Sequence, residues 1–327
     1  MNAPNSPDGI RATIVTLTMN PALDITASVD RVRPIEKLRC QGARHDPGGG
    51  GINVARIARA LGASVAAVFP AGCPTGDVVI DMLAAEGVPF HWVKINGRTR
   101  ESFTVNEQCS GQQYRFVLPG PRLTFAERAR CLDELRVAAK TAQFVVASGS
   151  LPPGVPPDFY QLITDVCADL GTPLVLDTSD VGLRHIPSGV FLLKPSVRQL
   201  RECFGRELTT EADHVAAAHE LVDHRQAQVV VVSLSNRGTL LVTARTSQYF
   251  PAIRMRSGSG VGAGDAMVAA ITVGLSRGWP LTKSVRFGVA ARAAMLITPG
   301  TAVCNPFDVE RLFQLVAEPT DLGALCG

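Results

Sequence analysis

The run Gly262-Ala263-Gly264-Asp265 sets an acidic side chain at the start of an apolar stretch whose spacing predicts a helix over Asp265–Leu275. Two glycines let backbone N–H groups at a helix N-terminus come close to a phosphoryl group and stabilise the charge it develops. An aspartate one residue later is placed to take a proton from an attacking hydroxyl. The plainer reading of so short a string is an ordinary helix start, with Asp as a favourable first-turn charge. A dinucleotide fingerprint fails, because GxGxxG needs Gly or Ala at position 267 and Met267 stands there. A second signal is Gly48-Gly49-Gly50-Gly51-Ile52-Asn53, also just before a helical pattern. Four glycines are costly in chain entropy, so close approach of the backbone to a ligand is the better account, with Asn53 offering both donor and acceptor. Asp24 follows the turn Asn20-Pro21-Ala22-Leu23. A lone Asp there is most often a turn or cap residue.

Several chemistries are excluded. There is no GxxxxGK[ST] and no Gly-Lys pair, so a P-loop is ruled out, and the HRD and DFG strings of protein kinases are missing. No HExxH or clustered Cys/His set points to a transition metal. The eight cysteines are never closer than 22 residues (Cys109 to Cys131), which rules out CxxC chemistry. A net charge of +3 with scattered arginines lacks the basic stripe of a nucleic-acid binder. Met1–Arg11 has no apolar signal core, and no apolar run reaches the roughly 18 residues of a membrane span. Reduced thiols and a cytoplasmic location are the expectation.

These residues need elements to hold them. At 327 residues and 46% hydrophobic, the chain has material for a sizeable core. Short runs rich in β-branched residues read as buried strands at Ala12–Leu17, Val65–Phe69, Phe144–Ala147, Leu174–Leu176, Val190–Leu193 and Val229–Leu234. Helical patterns cover Ile52–Leu61, Thr124–Ala139, Pro157–Leu170 and Glu211–Val222. The alternation predicts an α/β domain with a mostly parallel sheet covered on both faces. Thr26–His45 and His91–Val117 break the rhythm and read as short polar strands forming a small antiparallel sheet. One apolar face of such a sheet is left to close over a ligand, another subunit, or both. The expectation is one domain over residues 1–327, with lid segments at about 26–45 and 91–117.

The strings TLTMNPALD, EKLRC, PGGGGINVARIARALG, FPAGCPTGD, GQQYRFVLPG, SGSLPPGV and VGAGDAM occur in one order from Thr16 to Gly300. Together they resemble the PfkB branch of the ribokinase-like sugar kinases. EKLRC, the four-glycine block and YRFVLPG are most similar to the minor, type 2 form of ATP-dependent 6-phosphofructokinase. Kinases of fructose 1-phosphate and tagatose 6-phosphate usually carry Lys where Gly50 stands. The resemblance implies a three-layer α/β/α fold with a β lid, and transfer of phosphate from ATP to the 1-hydroxyl of fructose 6-phosphate. It implies Asp265 as base and the backbone of Gly262, Ala263 and Gly264 as anion hole. For the sugar phosphate it implies Asp24, Gly49, Gly50, Gly51, Asn53, Arg100 and Ser150, with Lys37 and Arg39 as further phosphate or nucleotide partners. For ATP it implies Lys194, Ser196, Ser233, Ser235, Gly238 and Ala293. Mg²⁺ arriving with ATP is implied, as is a monovalent cation such as K⁺ near Ser259, Val261, Thr298 and Gly300. A homodimer joined through the lid is implied too.

Relatives usually read Lys-Pro-Asn-x-x-Glu where this chain has Lys194-Pro195-Ser196-Val197-Arg198-Gln199. Ser235 stands where glycine is usual, and Gly260 where Thr is often found. Two alternatives stay open: a kinase for tagatose 6-phosphate or fructose 1-phosphate, and a sensor of sugar phosphate or nucleotide with weakened catalysis.

Overall fold

The computed structural model describes residues 12–178, 185, 188–255, 260–298, 300 and 302–323. In chain order its strands are β1 (Ile14–Leu17), β2 (Ala22–Val29), β3 (Gln41–Gly48), β4 (Val65–Ala71), β5 (Phe90–Lys94), β6 (Arg100–Glu107), β7 (Gln113–Val117), β8 (Phe144–Ser148), β9 (Leu174–Asp177), β10 (Val190–Leu193), β11 (Ala227–Ser233), β12 (Gly238–Thr243), β13 (Ser247–Pro251) and β14 (Thr320–Asp321). The helices are α1 (Gly50–Ala60), α2 (Thr75–Ala85), α3 (Phe125–Ala138), α4 (Phe159–Leu170), α5 (Val197–Phe204), α6 (Glu211–Asp223), α7 (Ala263–Ser276), α8 (Leu281–Leu296) and α9 (Pro306–Phe313).

The large sheet runs β14-β13-β12-β11-β10-β9-β8-β1-β4-β5. From β5 to β11 all neighbours are parallel, and β12, β13 and β14 add an antiparallel edge. Side chains of successive strand residues point to opposite faces. Ile14 and Val146 therefore join one core with α1, α2, α7, α8 and α9, while Val15, Val145 and Ala147 join the other with α3, α4, α5 and α6. A sheet buried on both faces explains why its strands read as continuous apolar runs.

The second sheet, β3-β2-β6-β7, holds most of the expected lid segments and is called the lid below. Three expectations need correction. The lid is mixed rather than antiparallel, because β2 pairs with β6 in parallel. Its first strands extend past the expected bounds, β2 beginning at Ala22 and β3 running to Gly48, directly into α1. Residues 91–94 lie outside the lid: β5 pairs in parallel with β4, with Phe90 and Trp92 against one core and Val93 in the other. Its His91 and Lys94 sit on a sheet edge, where polar residues are tolerated.

Candidate active site

The glycine block ends β3 and opens α1, with Gly49 at the N-cap in a left-handed conformation (φ 112°). Its other glycines are there for contact with protein. A Cβ on Gly48 would collide with the Asp24 carboxylate, and one on Gly50 with the Ser148 hydroxyl and with Gly149 N at 2.7 Å. One on Gly51 would lie 2.5 Å from Leu17 O and Thr18 Oγ1. The sequence reading assigned this close approach to a ligand. The structure shows α1 itself seated on the carboxyl ends of β1 and β8, which brings Asn53 into the crevice where α/β sheets bind ligands.

Asp265 is the third residue of α7, after Gly262, which caps the helix in a left-handed conformation (φ 72°). Asn53 Nδ2 donates to its Oδ2 at 2.9 Å and the Ser148 hydroxyl to its Oδ1 at 3.4 Å. Burial, then the neighbouring Asp177 carboxylate, push the Asp265 pKa up to about 7, against the opposing pull of Asn53 and Lys194. Asp177 pairs with buried Lys194 at 3.2 Å, and burial raises its pKa as well. A Cβ on Gly264 would lie 3.4 Å from Lys194 Nζ, so this ammonium stands beside the first turn of α7. The first N–H groups of a helix have no intrahelical partner. Ala263 N donates to Gly260 O at 3.3 Å, so the Asp265 carboxylate, the N–H groups that follow Ala263 and a cation converge on one point.

Beside them is a cluster of polar side chains from β2, β6 and the segments that follow β1 and β8. Burial is the main cause raising the Asp24 pKa to about 6, opposed by Arg100 and Arg115. Arg100 donates to Leu118 O at 3.1 Å and Asn20 O at 3.0 Å, and Asn20 Nδ2 donates to the Ser150 hydroxyl at 3.2 Å. Asn20 Oδ1, Asn53 Oδ1, Thr18 Oγ1 and Arg100 Nε are all buried without a hydrogen-bond partner. Native proteins hold few such atoms, and four around one crevice fit a polyhydroxylated ligand.

The residues expected to bind the nucleotide divide. Ser235, Gly238 and Ala293 line a cavity of about 610 Å³ between β12 and α8, together with Arg292 and Val289. Ser235 takes a left-handed conformation (φ 58°), the geometry that favours the glycine usual in its relatives. Lys194, Ser196 and Ser233 do not line this cavity. Lys194 belongs to the Asp265 cluster, Ser196 spends its hydroxyl capping α5, and Ser233 is buried beside Ser196 through a β-bridge. Lys37 and Arg39 are exposed on the loop between β2 and β3.

For a monovalent cation, Ser259 lies outside the described residues. Val261 is buried, the Thr298 hydroxyl donates to Ala294 O at 3.0 Å, and Gly300 approaches Thr26 Oγ1 and Asp46. For Mg²⁺, no group of three or more His, Cys, Asp or Glu side chains forms a cage among the described residues. Gln199 and Ser196 are committed to each other in a capping box, so position 199 does not fit a metal ligand. The carboxylate available is Asp177, a set that suits an ion carried in by phosphates and water. Sequence reasoning missed Ser148, Asp177 and Asn20. Each ends or follows an apolar strand, and a polar residue at the carboxyl end of a parallel strand is the signal that marks them.

Comparison with known proteins gives the same picture. The model of the pfkB family of carbohydrate kinases matches residues 17–308. ATP-dependent 6-phosphofructokinase isozyme 2 of Mycobacterium tuberculosis is 63% identical over 99% of this chain and 95% of its own length. The Escherichia coli isozyme 2 is 38% identical over 93% of this chain and 99% of its own. The crystal structure of Escherichia coli phosphofructokinase-2 with fructose-6-phosphate superposes with a TM-score of 0.87 at 37% identity, covering 93% and 99% of the two chains. That protein has also been solved with potassium and in a tetrameric inhibited form. A ribokinase from Thermotoga maritima, 19% identical, shares the fold with a TM-score of 0.72 over 93% of this chain and 99% of its own.

Proposed function

This chain belongs to the pfkB family of carbohydrate kinases, and from that premise we propose that it transfers the terminal phosphoryl group of ATP to the 1-hydroxyl of fructose 6-phosphate. The products are fructose 1,6-bisphosphate and ADP. The observation that carries the reading is the Asp265 carboxylate, held by Asn53 and Ser148 at the start of α7 with its pKa raised to about 7. A base titrating near neutrality combines proton affinity with a usable ionised fraction.

In the proposed mechanism, Asp24, Asn20, Asn53 and Ser150 hold the sugar hydroxyls, and Arg100 faces the 6-phosphate. The 1-hydroxyl oxygen attacks the terminal phosphorus in line as its proton passes to Asp265. The bond to the bridging oxygen breaks, and ADP leaves with the electron pair. The backbone N–H groups of Gly262, Ala263 and Gly264, of which that of Ala263 donates to Gly260 O at 3.3 Å in this structure, and the Lys194 ammonium are assigned to the charge spread over the transferred group. Mg²⁺ on the phosphates, with Asp177 as the available carboxylate, supplies charge neutralisation when bound. The purine end of ATP is assigned to the cavity lined by Ser235, Gly238 and Ala293.

Several finer assignments belong to the same proposal. K⁺ is assigned near Val261, Thr298 and Gly300. Lys37 and Arg39, exposed on the loop between β2 and β3, remain assigned to contacts with phosphate or nucleotide. The single-domain organisation with inserted lid segments, a dimer through the lid and a cytoplasmic setting complete the reading; no helix among the described residues is long and apolar enough to cross a membrane. Fructose 6-phosphate is preferred over the other two sugars because the relatives 63% and 38% identical to this chain are ATP-dependent 6-phosphofructokinases. The test is a coupled assay of ADP release with fructose 6-phosphate, tagatose 6-phosphate and fructose 1-phosphate side by side. The highest kcat/KM is expected with fructose 6-phosphate. Tight binding without turnover of any of the three would replace the kinase with a sensor.

A further inference from the structure

We propose that Tyr160, Thr178 and Gln199 form a buried hydrogen-bonded brace that positions the catalytic rim from behind, and that position 199 in this chain serves the brace instead of a metal. The rim consists of Ser148, Asp177 and Lys194, at or just beyond the ends of β8, β9 and β10. The ladder of the sheet runs out there: the last paired positions are Ser148 with Asp177 and Leu176 with Leu193. Beyond them, among the described residues, Gly149 N donates to Asp177 O at 2.9 Å and Lys194 N to Leu176 O at 3.0 Å.

The brace takes over at this point. Tyr160 on α4 donates its hydroxyl to Gly149 O at 2.8 Å and accepts from the Thr178 hydroxyl at 2.7 Å. Gln199 on α5 donates from Nε2 to Thr178 O at 2.8 Å, and its Oε1 accepts from Ser196 N at 2.7 Å. The Ser196 hydroxyl accepts from Gln199 N at 3.2 Å and closes the chain. Gly149, Thr178 and Ser196 follow the rim residues, so the loops after three strands are tied together through two helices. Tyr160, Thr178 and Gln199 are 3%, 2% and 9% exposed, which makes each of these bonds costly to lose.

This geometry accounts for the amide. Position 199 must accept from one backbone group and donate to another, and only a side chain with both functions does so. A carboxylate would still accept from Ser196 N, but it would face Thr178 O with a second acceptor in a buried place. The glutamate usual in relatives therefore does not fit this arrangement.

The rate readouts rest on the kinase reading, so the wild type is measured in the same series as Tyr160→Phe, Thr178→Val and Gln199→Glu. Each variant is expected to lower kcat by roughly 5- to 50-fold, with KM for fructose 6-phosphate and ATP within about 3-fold, as for groups that align a transition state. The double variant of Tyr160→Phe and Gln199→Glu should fall little further than the worse single one, because both break one chain. Gln199→Glu should not reduce the Mg²⁺ needed for half-maximal rate. An unchanged kcat in folded Tyr160→Phe, or a Gln199→Glu variant that is faster or needs less Mg²⁺, would overturn the brace. Backbone amide exchange at Gly149 and Lys194 is read independently of turnover and should speed up in all three variants. If the wild type failed to turn over, the kinase reading would fall, while unchanged exchange in the variants would still sink the brace by itself.

Discussion

Asp265 is a buried carboxylate that, in the proposed mechanism, must become charged to act. Its ionisation is opposed by burial and by Asp177, and these set the pH at which the base is ready. For the free enzyme, kcat/KM should rise with pH through about 7 and level above it, as Asp265 loses its proton. A pH–rate profile flat from pH 5 to 8 would speak against this assignment. Stability carries the opposite sign. A carboxylate whose folded pKa is raised favours the protonated native state, so its contribution is fully present below the ordinary aspartate range and is lost as pH rises through about 7. Asp265→Asn, which cannot ionise, should melt a few degrees above the wild type at pH 8, with a smaller gain at pH 5, by calorimetry at both pH values. Asp265 and Asn53 were legible in the sequence because glycine runs flag them, and Asp24 only through the family resemblance. Asp177 and Ser148 were not, since what distinguishes them is a neighbour 88 or 117 positions away along the chain.

The elements show which local patterns carry information. Strands buried on both faces appear as apolar runs, and the capping box of Thr124 with Glu127 marks the start of α3. β5 was misplaced because an edge strand with His91 and Lys94 reads like the lid's polar strands. α8 and α9 were not picked out from periodicity, and α8 is buried along most of its surface, which blurs a one-sided pattern. The glycine block was found but its reason was not: a sequence shows that Cβ atoms are absent, not which atoms they would meet. Gly50→Ala should therefore act through Ser148, pushing it from Asp265 and lowering kcat by roughly 10- to 100-fold. Steady-state kinetics would check this, and a variant at wild-type rate would show that α1 gives way freely.

At the scale of the molecule, the lid joins the main domain through buried charge. Arg56 on α1 binds Glu86 after α2 at 2.6 Å, Pro47 O at 3.1 Å and Asp46 of β3 at 3.4 Å, and Asp46 also binds Arg44 at 2.8 Å. Removing one partner of a buried pair typically costs about 3–5 kcal/mol, because the other charge is left unpaired. Arg56→Met should lower stability in denaturant titration by that order, whereas a loss below about 1 kcal/mol would mean the lid is held otherwise. On the lid, Phe103 and Phe116 are cross-strand partners with exposed rings, and Val117 and Leu118 extend the apolar patch. Exposed apolar patches of this kind mark interfaces. Phe103→Glu with Phe116→Glu should convert the expected dimer to monomer by analytical ultracentrifugation, and an unaltered sedimentation coefficient would place the interface elsewhere.

The central claim is that Asp265 takes the proton from the sugar hydroxyl. The most direct test compares wild type with Asp265→Asn for ATP-dependent phosphorylation of fructose 6-phosphate, with binding of the sugar phosphate measured by calorimetry on both. Loss of the base should cost roughly 10²–10⁴ in kcat while the dissociation constant changes little. A variant that keeps its rate within a few-fold, with binding intact, would contradict the account.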